Sequence, residues 1–217
     1  MIIKAARIDD PRTSDGRTLP QLLLDRARAH PDRACMREKK HGVWVGYSWI
    51  EVRDRVQRTA RGLAAFGLER GDVLAVLSEN IVESFWAEYA ALSLGARVVF
   101  AYPDLTAREL LYILDHSEAK MLLAEDQEQV DKFLAIKKEL PRLTNVIYVD
   151  PRGLWDYREP LLHSYDDVQR AGGDSSPDFL RAAIEGGDAD DIAAICYTSG
   201  TTGRPKGAML SHRFLLE

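Results

Sequence analysis

The segment Tyr197-Thr198-Ser199-Gly200-Thr201-Thr202-Gly203-Arg204-Pro205-Lys206-Gly207 places four aliphatic hydroxyls, three glycines and one lysine within eleven residues. These are the groups that hold phosphate. Glycine lets backbone amides approach an anion, hydroxyls donate hydrogen bonds, and a lysine ammonium adds positive charge. Thr198, Ser199, Gly200, Thr201, Thr202, Gly203 and Lys206 are therefore the candidate phosphate contacts. The spacing excludes a Walker loop: counting from Gly200, Pro205 stands where the second glycine is required, and Gly207 follows Lys206 in place of Ser or Thr. Apolar runs flank the segment at 192–197 and 208–210. Both read as strands, so the anion site is expected to rest on amides and hydroxyls with little help from a helix dipole.

Other chemistry-bearing residues are weaker candidates. His212, directly after Ser211, is either close to the substrate or a packing residue at a helix start. Asp190-Asp191 resembles a metal pair but fits a turn or cap better, since no partner accompanies it. His30, His41, His116 and His163 suit surface or turn positions, and Trp44, Trp49, Trp86 and Trp155 suit core or interface positions. Arg37-Glu38-Lys39-Lys40 reads as the solvated end of a hairpin.

The elements that must position the loop alternate. A helix over 19–30 is followed by two short strands, 34–38 and 43–47, joined at His41-Gly42. Ser48-Trp49-Ile50-Glu51 forms a capping box that opens a helix with Val52, Val56, Ala60, Leu63 and Ala64 on one face, ending at Gly67. The continuous apolar run 73–77 reads as a parallel strand buried on both faces. Then follow a helix over 82–94, a strand over 97–100, a capping box at Thr106 and Glu109 opening a helix to about 116, a strand over 120–124, a helix over 126–138 and a strand over 145–149. This pattern predicts an α/β fold, a doubly wound, mostly parallel sheet with flanking helices. Residues 1–18 read as a polar arm. Residues 150–190, broken by glycine and proline, read as a connection with short helices near 164–170 and 177–185.

Composition sets limits. The 217 residues carry a net charge of −5, which gives no global electrostatic case for nucleic acid. Cys35 and Cys196 fit neither a disulfide framework nor a metal-ligand spacing, which points to a reducing compartment, and Cys196 in its apolar run is expected to be a small core residue. No signal peptide and no apolar run of roughly 18–20 residues is visible. A soluble, cytoplasmic protein is expected, with a peripheral association at the inner membrane left open.

The loop from Tyr197 to Gly207 resembles the signature of the adenylate-forming (AMP-binding) superfamily of acyl-CoA synthetases, luciferases and peptide-synthetase adenylation domains. Residues 42–49, 62–67 and 71–80 are similar to its N-terminal part, and Tyr102-Pro103, 112–117 and 124–132 look most like bacterial long-chain fatty-acyl-CoA synthetases. The resemblance implies an incomplete AMP-binding domain over 19–217, with the remainder of that domain and the C-terminal domain lying beyond the chain. It implies ATP-dependent activation of a long-chain fatty acid to an acyl-adenylate and then an acyl-CoA, with ATP, Mg2+ and coenzyme A taking part. In the family pattern the loop hydroxyls and amides hold the β- and γ-phosphates and Lys206 offsets their charge. The catalytic lysine belongs to the missing domain, so no catalytic residue is assigned within this chain, and the metal ligand is unknown. The other reading is a non-catalytic nucleotide-binding or interaction module of the same fold.

Overall fold

The computed structural model describes residues 16–173, 177–198 and 204–217. The chain runs α1 (Leu19–Ala29), β1 (Ala34–Lys40), β2 (Val43–Ser48), α2 (Trp49–Ala65), β3 (Val73–Leu77), α3 (Val82–Ser93), β4 (Arg97–Ala101), α4 (Ala107–His116), β5 (Met121–Ala124), α5 (Gln127–Ile136), β6 (Asn145–Tyr148), β7 (Leu162–Ser164), α6 (Tyr165–Ala171), α7 (Pro177–Glu185), β8 (Ile192–Thr198), β9 (Lys206–Ser211) and α8 (His212–Leu216). A 3-10 turn, Lys137–Glu139, finishes α5, so this helix is shorter than its sequence pattern suggests.

Helix starts follow local chemistry. The Glu51 carboxylate accepts from the Ser48 amide at 2.7 Å, and Glu109 accepts from the Thr106 amide at 2.9 Å, completing the two expected capping boxes. Two further boxes, Thr18 with Gln21 and Ser164 with Asp167, open α1 and α6. Residues 1–15 of the expected arm lie outside the described residues. Thr18, its last member, is 2% exposed and belongs to the helix it caps. At His41-Gly42 both φ angles are positive, 50° and 84°, which is the backbone of a two-residue hairpin turn with the right twist.

A seven-stranded sheet forms the centre, in the order β7-β6-β5-β3-β4-β8-β9. All neighbours are parallel except β8 and β9. Every residue of β3 is buried. Leu74 and Val76 face the cluster built with α1, α2, α3, α6 and α7, and Val73, Ala75 and Leu77 face the cluster built with α4 and α5. β4, β5 and β6 alternate in the same way, which is the doubly wound arrangement. The region 150–190 is more than a connection: Leu162–Ser164 pairs parallel to β6 as an edge strand. Among the tryptophans only Trp86 is a fully buried core residue, while Trp44 and Trp155 are exposed.

Two sites have consequences for stability. Gly62 lies in α2 where α6 crosses it, and a Cβ there would overlap the Val168 carbonyl oxygen. Because that obstacle is backbone, Gly62→Ala is expected to lower stability by about 2 kcal/mol or more, read as a reduced denaturation midpoint. Glu88 on α3 has its carboxyl pushed up from 4.5 to about 7 by burial. Between those pH values the folded protein keeps a proton that the unfolded chain has lost, so stability falls as pH rises through this window and stays lower above it. Glu88→Gln removes that cost. It is expected to raise the melting temperature at pH 8, by an amount on the order of 2 kcal/mol in stability, and to change little near pH 4.

Candidate functional site

Parallel strands β3, β4 and β8 all point their C-terminal ends to one edge of the sheet. The chain leaves β3 through α3 on one face and β4 through α4 on the other, so a crevice opens between them, the usual place for ligands in such sheets. A cleft of about 320 Å³ occupies it, lined by Ser78 and Asn80 after β3, Tyr102 and Pro103 after β4, and Cys196 and Tyr197 of β8. Beside it, a groove of about 460 Å³ runs between α4 and Arg204-Pro205.

The predicted loop connects β8 to β9, which pair antiparallel with Thr198 opposite Lys206. The expected strands stand on both sides of the predicted loop, and among the described residues Arg204-Pro205 leads directly into β9. Of the candidate phosphate contacts, Ser199, Gly200, Thr201, Thr202 and Gly203 lie outside the described residues. Thr198 and Lys206 stand at the two rims, both exposed, with their backbones adjacent in the register.

The rims are held from α4. The Tyr112 hydroxyl donates to the Pro205 carbonyl at 2.9 Å. The Tyr197 hydroxyl shares a 2.7 Å hydrogen bond with His116 Nδ1. The rings of Tyr112, His116 and Tyr197 lie 5.3 to 6.3 Å apart, and the Arg204 guanidinium sits 5.5 Å from the centre of the Tyr112 ring. Burial, with Tyr112 beside it, pushes the Tyr197 phenol up to about 12, so it stays protonated. Gly207 is needed for close packing, since a Cβ there would stand 3.0 Å from Ile195 and 3.2 Å from the Tyr197 ring. Sequence reasoning placed His116 at the surface and gave Tyr112 no role. The signal available was their spacing of four, which puts both on one side of a helix.

His212 is not brought to the loop. It is 3% exposed at the far end of β9, roughly 20 Å along the strand from Lys206. Its Nδ1 accepts from the Leu19 amide at 3.2 Å, and burial lowers its pKa, so the neutral ring serves as a packing acceptor. Asp190 and Asp191 are turn residues: Asp190 pairs with Arg213 at 2.7 Å, and Asp191 accepts from Arg70 at 3.1 Å. Among the described residues no group of three His, Cys, Asp or Glu side chains is arranged to hold a metal, and no helix is long and apolar enough to cross a membrane.

Cys196 corrects an expectation. It is exposed rather than a core residue. The reason lies in the register: β4 pairs with β8 only at Ala194 and Ile195, so among the described residues Cys196 has β9 alone as a strand beside it. Cys35, by contrast, is half-buried, and burial pushes its thiol up to about 11. A thiol reagent at pH 8 is expected to label Cys196 in the native protein and Cys35 only after unfolding, as peptide mapping of the labelled chain would show.

A profile of the AMP-binding enzyme family matches residues 23–217. The chain is 30% identical over 216 residues to the long-chain-fatty-acid–CoA ligase heimdall of Drosophila melanogaster, covering 95% of this chain and 32% of that protein. It is 32% identical over 196 residues to the 2-succinylbenzoate–CoA ligase of Bacillus licheniformis, covering 88% of this chain and 33% of that one. The solved fatty acyl CoA synthetase of Mycobacterium tuberculosis superposes with a TM-score of 0.71 at 26% identity, over 90% of this chain and 34% of that chain. The chain thus spans about a third of the length of these relatives. With the parallel sheet, the crevice and the two strands flanking the predicted loop in place over the matched region, this chain belongs to the AMP-binding enzyme family.

Proposed function

We propose that this chain supplies the phosphate-holding part of an ATP-dependent ligase that activates a long-chain fatty acid to its acyl-adenylate and then to acyl-CoA. The observation that carries the reading is the rimmed loop at the C-terminal edge of the sheet, with Lys206 opposite Thr198 beside the cleft. In the reaction a carboxylate oxygen attacks the α-phosphorus of ATP and pyrophosphate leaves. The thiolate of coenzyme A then attacks the acyl carbon and AMP leaves. Negative charge gathers on the departing phosphates, so fixed donors and a cation are the contributions that matter. Thr198 and Lys206, with the hydroxyls and amides of Ser199, Gly200, Thr201, Thr202 and Gly203, are assigned to the β- and γ-phosphates. Magnesium would supply further charge neutralisation; among the described residues no group of three His, Cys, Asp or Glu side chains is arranged to hold it.

The acid is assigned from the relatives named long-chain-fatty-acid–CoA ligases. A 2-succinylbenzoate–CoA ligase at 32% identity favours a second reading, in which the acid is aromatic. Contacts to the acid and to coenzyme A are assigned to the two-thirds of the relatives' length that this chain does not span.

Calorimetric titration of the chain with Mg·ATP tests the phosphate assignment. Lys206→Ala is expected to weaken binding at least tenfold, since it removes a charge-assisted contact, while the melting temperature stays unchanged because Lys206 is exposed. Equal affinity in the variant would remove Lys206 from the site. Acyl-adenylate or thioester formed by the 217 residues alone would overturn the assignment of the acid and coenzyme A contacts elsewhere. In a polypeptide of the relatives' full length, pyrophosphate exchange stimulated by long straight-chain acids supports the first reading, and exchange stimulated only by aromatic acids supports the second.

A further inference from the structure

The β8–β9 hairpin carries the loop past the support of the sheet. Only Ala194 and Ile195 of β8 pair with β4, so residues 196–198 and their partners Lys206–Ala208 have no further strand beside them among the described residues. An antiparallel pair of this length is marginal by itself in water. Both of its strands are instead fastened to α4, by the Tyr112 hydroxyl on the Pro205 carbonyl and by His116 on the Tyr197 hydroxyl. The two bonds reach opposite rims of the same loop. Pro205 immediately precedes Lys206, and Tyr197 immediately precedes Thr198. The inner face of α4 is fixed by Leu110, Ile113 and Leu114, all buried against the sheet. A rigid helix therefore sets the backbone next to each of the two described phosphate contacts.

We infer that Tyr112 and His116 are positioning residues for phosphate binding: they act through Pro205 and Tyr197 on the backbone that carries Lys206 and Thr198. The inference deepens the phosphate-holding reading and rests on it. Three features separate it from ordinary packing. The bonds go to the rims of the loop and not to the body of the sheet. His116 is exposed, so it adds little to the core. The Arg204 guanidinium over the Tyr112 ring gives a third tie at the same rim, one that depends on the ring and not on the hydroxyl.

The test uses the 217-residue chain, with Mg·ATP and inorganic tripolyphosphate as probes. Tyr112→Phe keeps the ring beneath Arg204 and deletes the donor, and Tyr112→Leu deletes both. His116→Ala deletes the partner of Tyr197, and His116→Asn keeps a polar atom near the Nδ1 position. Tyr112→Phe and His116→Ala are each expected to weaken both probes about fivefold, with Tyr112→Leu weaker still and His116→Asn restored to within about twofold of the parent. Amide exchange at Lys206 and Gly207 should quicken in the weakened variants while β3 remains protected and the melting temperature holds. Parent-like affinity in Tyr112→Phe and His116→Ala overturns the inference. So does weakening accompanied by a general loss of melting temperature, which would make these residues structural. A parent chain that binds neither probe fails the phosphate reading itself, a result distinguishable from failure of the positioning role.

Discussion

The burial of β3 on both faces is the constraint from which the other features follow. A parallel strand cannot reach its neighbour by a tight turn, so each crossover must carry a helix over the sheet, and each face needs such a cover. Leu74 and Val76 require one set of helices, and Val73, Ala75 and Leu77 require another. The chain meets both needs by sending α3 over one face and α4 over the other from adjacent strands. The crevice between β3 and β4 is a direct result of that divergence, and the cleft lined by Ser78, Asn80, Tyr102 and Cys196 fills it.

The same constraint explains what lies beside the crevice. Once α4 is committed to the face covered by Leu110, Ile113 and Leu114, its neighbouring side chains Tyr112 and His116 are presented to whatever follows β4 in the sheet. That is β8, and the hairpin it forms with β9. Gly207 allows the two strands to close against Ile195 and Tyr197 without a side chain between them. The loop is thus framed by a helix whose position is decided elsewhere, by hydrophobic burial.

Much of this was legible in the chain, for identifiable reasons. The capping boxes at Ser48 and Thr106 are local, each written within four residues, and the buried run at 73–77 admits few other readings. The strand Leu162–Ser164 was not legible, because three half-buried residues have no period and its pairing with β6 is non-local. Cys196 was misread for a related reason. The apolar run 192–197 looks uniformly buried, but only the neighbouring strand decides where burial stops, and β4 stops pairing at Ile195. His212 was left open between a substrate and a packing role, because its contact with the Leu19 amide is set by an element nearly two hundred residues away in sequence. The hydroxyl and lysine content of the loop is what suggests phosphate. The groups that hold its rims did not announce themselves, because Tyr112 and His116 acquire that role only through contact across 81 to 93 positions.

A loop between two antiparallel strands faces a problem that a loop opening a helix does not. Where a helix follows, its first amides already converge on one point and its dipole favours an anion there. Here β9 follows, so in the proposed site convergence would have to come from individual groups, and the directions of Thr198 and Lys206 depend on the two strands that carry them. Beyond Ile195 β8 no longer pairs with β4, so the two strands approach the loop paired only with each other among the described residues. Orientation therefore has to be supplied from outside the hairpin, and α4 is the element in place to supply it, with one hydroxyl on the Pro205 carbonyl and one imidazole on the Tyr197 hydroxyl. The core that buries α4 and the two described rims of the proposed phosphate loop are in this way mechanically joined, through two polar contacts that hydrophobic burial alone would not have required.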